Sequence, residues 1–301
     1  MIPTPPIGPH GGDGARLAAR LGIDPDDVLD LSATLNPLAP DVGRLAVAHL
    51  GALRRYPDPL AATAALADAL GVDADRVLLT NGGAEAIALV AEQVGAGWVE
   101  GPEFSLYARH LPVLDPAAGR WRSNPNNPTG RLAAVTDTAA VWDEAFWPLA
   151  AGTWTRGDAD DGAVVVGSLT KLFAAPGLRL GYVLAPDPSI VKTLAARQPQ
   201  WSVSGLAAAL LPGLLAAAEL PRWRDGIVAL RAQLVEVLAG AGFTADAADA
   251  PWVLVPEAGD LRDRLARRAI LGRDCTSFGM PGTVRIAVPD EQGLARLAAA
   301  L

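Results

Sequence analysis

Five short apolar runs, spaced along the middle of the chain, constrain its fold more than any other feature. They are RVLLT (76–80), GWVEG (97–101), the run inside AAVWDEAF (139–146), AVVVG (163–167) and LRLGYVLA (178–185). Such runs are near-continuously apolar, so both of their faces must be buried. That is the pattern of parallel strands covered by helices. The stretch NGGAEAIALVAEQV (81–94) reads as a turn opening a helix, and Leu60–Leu70 as an Ala/Leu helix ended by Gly71. Residues 13–22 are also helical in pattern, and residues 28–40 start extended and turn at Asn36-Pro37. A long helical stretch over 206–240 breaks near Pro221. Two further strands, WVLVP (252–256) and TVRIAV (283–288), follow with helical segments at 259–271 and 291–301. The predicted class is α/β: a mostly parallel sheet flanked by helices, plus a small α+β C-terminal domain. The predicted division is 1–40 as an N-terminal arm contributing to the small domain, 41–205 as the large domain, and 206–301 as a linking helix and the small domain. The arm MIPTPPIGPHGG (1–12) is too rich in Pro and Gly for regular helix.

Composition narrows the function. A net charge of −8 argues against nucleic acid or an anionic membrane as partner. One cysteine, Cys275, excludes a disulfide framework and fits a reducing compartment. His10, His49 and His110 are too scattered for a metal site, so no metal is expected. No basic stretch precedes an apolar run at the N-terminus, and Pro212 interrupts the apolar run 205–218. The expectation is a soluble cytoplasmic protein.

Only two of the 25 Lys and Arg residues are lysines, Lys171 and Lys192. Lys171 lies in GSLTKLFAAPGLRLG (167–181), directly after a buried strand. A lysine amine can lose its proton and condense with an aldehyde; a guanidinium cannot. Ser168 and Lys171 also spell S-x-x-K, but the S-D-N and K-T-G companions of a serine acyl-enzyme are absent. The NGG turn places glycines and free N–H groups at a helix start, an anion site that is not the dinucleotide G-x-G-x-x-G. Asp143 ends an apolar strand, where a carboxylate needs a partner such as a protonated ring nitrogen. Together these parts make a site for pyridoxal phosphate. Lys171 would hold the aldehyde and Asp143 the ring nitrogen. Gly82, Gly83, Ala84, Ser168, Thr170 and Arg179 would hold the phosphate. Phe104 would stack on the ring and Asn127 would bond the phenolic oxygen.

The segments NGGAEAI (81–87), GPEFSLY (101–107), NPNNPTG (124–130), DEAF (143–146), SLTK (168–171) and GLRLGY (177–182) resemble, in order, those of the fold-type I pyridoxal-phosphate enzymes, aminotransferase class I/II. The resemblance implies Lys171 and Asp143 as catalytic residues and Arg285 as the substrate-carboxylate ligand. It also implies a homodimer in which Tyr56 reaches the neighbouring subunit's cofactor phosphate. PHGG (9–12), LDLSATLNPL (29–38) and RYPDP (55–59) are similar to the threonine-phosphate decarboxylase subgroup of cobalamin synthesis. That likeness implies His10, Gly11 and Asn36 as substrate-binding residues and decarboxylation of L-threonine O-3-phosphate to aminopropanol phosphate. Histidinol-phosphate aminotransferases share RYP and NNPTG, usually with tyrosine where this chain has Phe146. Transamination is therefore the alternative, and a non-catalytic cofactor-binding protein the alternative of another class.

The chain departs from that pattern around NPNNPTG. Only 16 residues separate Tyr107 from Asn124, and 12 separate Gly130 from Asp143. A parallel crossover needs about a dozen residues or more, so the large domain is expected to be trimmed, with one sheet face short of helices. Trp121, Trp142 and Trp147 flank these gaps and are expected to cover that face, unless a partner chain does.

Overall fold

The structure, a computed structural model, describes Gly8 and residues 10–301; the start of the predicted arm lies outside the described residues. Among the described residues thirteen strands form three sheets. In chain order they are β1 (Leu29–Asp30), β2 (Val77–Asn81), β3 (Ala96–Val99), β4 (Val113–Leu114), β5 (Arg120–Ser123), β6 (Val141–Asp143), β7 (Val164–Ser168), β8 (Leu180–Leu184), β9 (Asp246–Ala247), β10 (Trp252–Val255), β11 (Ile270–Leu271), β12 (Arg273–Asp274) and β13 (Val284–Ala287). The large sheet has the order β2-β8-β7-β6-β5-β3-β4. β8 runs antiparallel to both β2 and β7, and the other pairs are parallel. β7 and β8 are buried at all five positions, as their unbroken apolar runs require.

Helices cover both faces. Leu60–Leu70 and Gly205–Ala216 pack on one, with Leu66, Leu70, Leu211 and Leu214 in its core. Gly82–Val94 packs on the other through Ile87, Leu89 and Val90. The predicted long helix is two helices, Gly205–Ala216 and Leu220–Gly240, meeting at 84°. Pro221 stands in the first turn of the second, where its missing N–H costs nothing. Pro212 lies inside the first helix and does not end it. No single helix among the described residues is long and apolar enough to cross a membrane.

The C-terminal four-stranded antiparallel sheet, order β12-β13-β10-β9, has its own core of Val253, Val255, Leu261, Leu265, Ile286 and Leu297. β1 pairs parallel with β11, so the N-terminal segment belongs to this body. The 259–271 segment divides into a helix, Leu261–Ala266, and β11.

The trimmed connections are as short as expected. The crossover from β5 to β6 contains no helix at all. On that face Trp142 is fully enclosed, with the Arg122 guanidinium 5.4 Å and the Arg156 guanidinium 4.9 Å from its ring. Arg156 Nη2 donates to the carbonyls of Ala134, Val135 and Asp137, and Arg122 pairs with Asp137 at 2.8 Å. Two arginines thus lash the bare loop over one tryptophan. Trp121 points to the opposite face, against Tyr107, and Trp147 bonds Thr153, so the three tryptophans do not act together. β5 itself, RWRS, is a strand that the apolar pattern did not reveal. Its arginines are partly shielded: Arg120 lies over Trp98 and Arg122 over Trp142.

Candidate active site

The carboxyl ends of β5, β6 and β7, the start of helix Gly82–Val94 and β13 of the smaller body bring most of the predicted residues together. A site at the strand carboxyl ends follows from parallel topology, because that is where the crossover loops begin.

Lys171 follows β7 by three residues. Its Nζ donates to Ser168 Oγ at 3.1 Å, and Ser168 Oγ lies 2.9 Å from Thr170 Oγ1. Burial pushes the Lys171 ammonium below its ordinary pKa; Asp143 opposes this, and Arg179 and Arg285 add to it. The shift favours the neutral amine over the charged one. Asn36, expected at the substrate, instead spends its amide on the Leu172 carbonyl (3.0 Å) and on the Leu38 N–H (3.0 Å), while its backbone N–H bonds the Lys171 carbonyl. It braces the lysine segment.

Asp143 ends β6. Its Oδ1 accepts from Ala145 N–H (2.9 Å) and its Oδ2 from the Tyr107 hydroxyl (2.7 Å). Burial raises its pKa, and the Lys171 charge opposes that most. Tyr107 was not singled out by the sequence. It stands three residues after Phe104, on the short helix Leu106–His110, and meets it edge-on at 5.8 Å.

The NPNNPTG loop is a lattice of amide bonds. Asn126 Oδ1 accepts from Thr129 N–H and hydroxyl (3.1 and 2.6 Å), and its Nδ2 donates to Pro102 O. Asn124 Oδ1 accepts from Ala133 N–H, and Gly130 turns the chain at φ +77. Asn127 receives Arg285 Nη1 on its Oδ1 at 2.5 Å and donates its backbone N–H to Ser123 Oγ at 2.8 Å. Its own Nδ2 stays available as a donor.

Arg285 lies over the Trp252 ring at 4.9 Å, and burial pulls its guanidinium down to about 10. None of the ion pairs among the described residues includes it, and its Nε is a buried donor without a partner. A desolvated, unpaired guanidinium calls for an anion.

Gly82 (φ +76) and Gly83 open the 13-residue helix Gly82–Val94, with Ala84 exposed in its first turn. A Cβ at Gly82 would overlap the Arg179 guanidinium, and one at Gly181 would overlap the Gly82 backbone. Arg179 adopts φ 54, which turns its side chain back over the turn. Free helix N–H groups, two hydroxyls and a guanidinium make an oxyanion cradle of phosphate character.

Gly8 and the segment from His10 to Gly14 lie on the site's other side. Gly12 N–H bonds Ser32 Oγ, and Gly14 N–H bonds Asp30 Oδ2, which explains the pairing of PHGG with LDLS in one sequence. At Gly11 any Cβ would overlap the Ser32 carbonyl. His10 then packs against Phe104 at 5.6 Å, and burial, Arg273 and Arg109 all hold its pKa down. Arg273, which carried no sequence signal, donates to Gly8 O at 2.7 Å. Tyr56 is apart from all of these. It is 79% exposed and stacks on Trp201, itself 57% exposed, at 4.5 Å.

A model of the family described as Aminotransferase class I and II matches residues 121–301. The chain is 32% identical to a threonine-phosphate decarboxylase of Sinorhizobium sp, over 97% of both chains. It is 25% identical to histidinol-phosphate aminotransferase 1 of Dechloromonas aromatica (strain RCB), over 95% of this chain and 92% of the other. The crystal structure of histidinol-phosphate aminotransferase from Sinorhizobium meliloti, in complex with pyridoxal-5′-phosphate, superposes with a TM-score of 0.77. That pair is 17% identical and covers 99% of this chain and 94% of that one, a likeness of fold.

Proposed function

The chain belongs to the aminotransferase class I and II family, a family of pyridoxal-phosphate-dependent enzymes, and from that premise we propose that it decarboxylates L-threonine O-3-phosphate to aminopropanol phosphate, a step of cobalamin synthesis. One observation carries this reading over transamination of another amine. His10 packs on Phe104 and feels the charges of Arg273 and Arg109, while Arg285, the cross-strand partner of Arg273, faces the site from β13. Neighbouring cationic groups of this kind suit a substrate with two anionic ends, a phosphate and a carboxylate.

The chain's residues fit the cofactor. Gly82, Gly83 and Ala84 N–H groups, with Ser168, Thr170 and Arg179, would take its phosphate. Phe104 would lie against the ring, and Asn127 Nδ2 would donate to the phenolic oxygen. When bound, pyridoxal phosphate supplies an aldehyde and an electron-withdrawing ring that stabilises negative charge at the substrate's Cα. Asp143, oriented by Tyr107 and Ala145, keeps a proton at the ring nitrogen. Arg285 grips the carboxylate, and His10 with Arg273 grips the phosphate, so the substrate's rotation about its Cα is fixed from both ends. Lys171 would hold the cofactor's aldehyde and, with substrate bound, would supply the proton that Cα takes up when carbon dioxide leaves. In the same reading residues 41–205 carry the cofactor, and residues 1–40 and 206–301 close over the substrate. Tyr56 and Trp201, with exposed Leu45, Val47, Leu50, Leu53 and Leu60 nearby in sequence, would form the interface of a homodimer, and Tyr56 would reach the neighbour's cofactor phosphate.

The test is direct. The purified protein should bind pyridoxal phosphate with visible absorbance and release carbon dioxide from O-phospho-L-threonine with no keto acid present. Product that forms only when 2-oxoglutarate is supplied makes the enzyme an aminotransferase and ends the decarboxylase reading. Lys171→Ala should abolish the absorbance; its persistence would overturn the site assignment.

A further inference from the structure

Glu103 has no part in the chemistry above, yet it sits inside the site's framework. It lies in the turn before helix Leu106–His110, next to Phe104. Its Oε1 accepts the Ser123 N–H at 3.1 Å and its Oε2 accepts the Ser123 hydroxyl at 2.5 Å. Ser123 is the last residue of β5. Because its proton goes to Glu103, its oxygen is left as an acceptor, and it takes the Asn127 N–H at 2.8 Å. Asn127 in turn receives Arg285. The four residues form one connected series, joined at Asn127 through its backbone N–H to Ser123 and its side-chain oxygen to Arg285, and every donor faces an acceptor.

We propose that Glu103 is a positioning residue that fixes Asn127 through Ser123, and so sets both the cofactor contact of Asn127 and the aim of Arg285. The inference rests on the site assignment given above. The chemistry explains why an acid stands here. Both groups that Glu103 meets on Ser123 are donors, one of them made so by the Asn127 N–H. A carboxylate offers two acceptors and no donor, whereas glutamine must turn an N–H toward one of them. No ion pair among the described residues includes Glu103. The groups that face it are Ser123, the Asn126 amide, Asp143 at the end of β6, and Tyr107, whose hydroxyl is committed to Asp143. Burial and the Asp143 charge raise its carboxyl to about 7, against the Ser123 and Asn126 bonds. The arrangement is therefore complete above neutrality, and below it one of the two acceptor oxygens becomes a donor.

Cofactor affinity, measured by absorbance titration of the apoprotein, separates the possibilities. Glu103→Gln is expected to weaken pyridoxal-phosphate binding about tenfold at pH 8, the size of one hydrogen bond to a charged group. It should also remove a transition near pH 7 from the wild-type affinity profile. Ser123→Ala should weaken binding similarly, and Glu103→Gln added to it should change affinity by less than about twofold, since its effect passes through Ser123. Additive effects, or an unchanged affinity and pH profile in Glu103→Gln, overturn the proposal. Asn127→Ala is the control on the site itself. If it leaves affinity untouched, the site assignment fails; if it weakens binding while Glu103→Gln does not, only the positioning role fails.

Discussion

Replacing Trp142 tests how the sheet is held where the β5–β6 crossover supplies no helix of its own. The indole is fully enclosed, in the core shared by Leu149, Val165 and Phe173, with a guanidinium on either flank. Truncating a buried tryptophan to alanine costs about 3–5 kcal/mol in lost burial and residual cavity. Two partly desolvated cation–π contacts add about 1–2 kcal/mol. One term opposes them: Trp142 Nε1 is a buried donor without a partner, and deleting it returns about 1 kcal/mol. The net expectation for Trp142→Ala is a loss of about 3–6 kcal/mol, a large share of a typical domain's stability. Trp142→Phe keeps a ring between the guanidinia and removes the orphaned N–H, so it should stay within about 1 kcal/mol of wild type. Urea unfolding of the apoprotein at constant pH measures both. Brief trypsin treatment adds a local readout, because Arg131 begins the lashed loop and is exposed; Trp142→Ala and Arg156→Ala should both speed cleavage there. If Phe and Ala are equally destabilising, the stacked-arginine account is wrong. If Ala costs under about 2 kcal/mol, the face is stabilised by something else.

Two further outcomes follow from buried charge. Glu144 is buried beside Asp143, and burial raises its carboxyl to about 7; it accepts the Arg156 N–H, and its Oε2 has no partner. Between about pH 4.5 and 7 the folded chain holds a proton that the unfolded chain has released, so stability falls as pH rises through that window. The fall from this group is about 3 kcal/mol, and Glu144→Gln should remove it, leaving a shallower decline due to Glu103; an unchanged slope would refute the assignment. Arg285→Gln should cut kcat/KM on the order of 100-fold, since a buried guanidinium–carboxylate pair is lost, with unfolding midpoint unchanged or raised because an unpaired buried charge is gone. A lowered midpoint with unchanged kinetics would make Arg285 structural.

The sequence by itself determined the elements whose burial is two-sided or whose chemistry is local. β7, β8 and helix Gly82–Val94 are legible because continuous apolar runs and a glycine turn admit few alternatives. Lys171, Asp143 and the glycine turn stood out in the sequence as well, each a polar or flexible group at the end of an apolar strand. The resemblance then supplied the cofactor and the order of the motifs. Tertiary structure alone decided what sits beside them. β5 reads as polar until Trp98 and Trp142 arrive from its neighbours to shield its arginines. β8 runs antiparallel, a matter of pairing that an apolar run does not encode. Asn36 is separated from Leu172 by 136 positions, and Arg285 from Asn127 by 158. Neither partner is visible until the two bodies fold against each other, because a side chain's direction is set by its own strand but its target is set by another. The same holds for Glu103: its sequence neighbourhood shows an acid in a turn, and only the approach of Ser123 makes that acid a clamp.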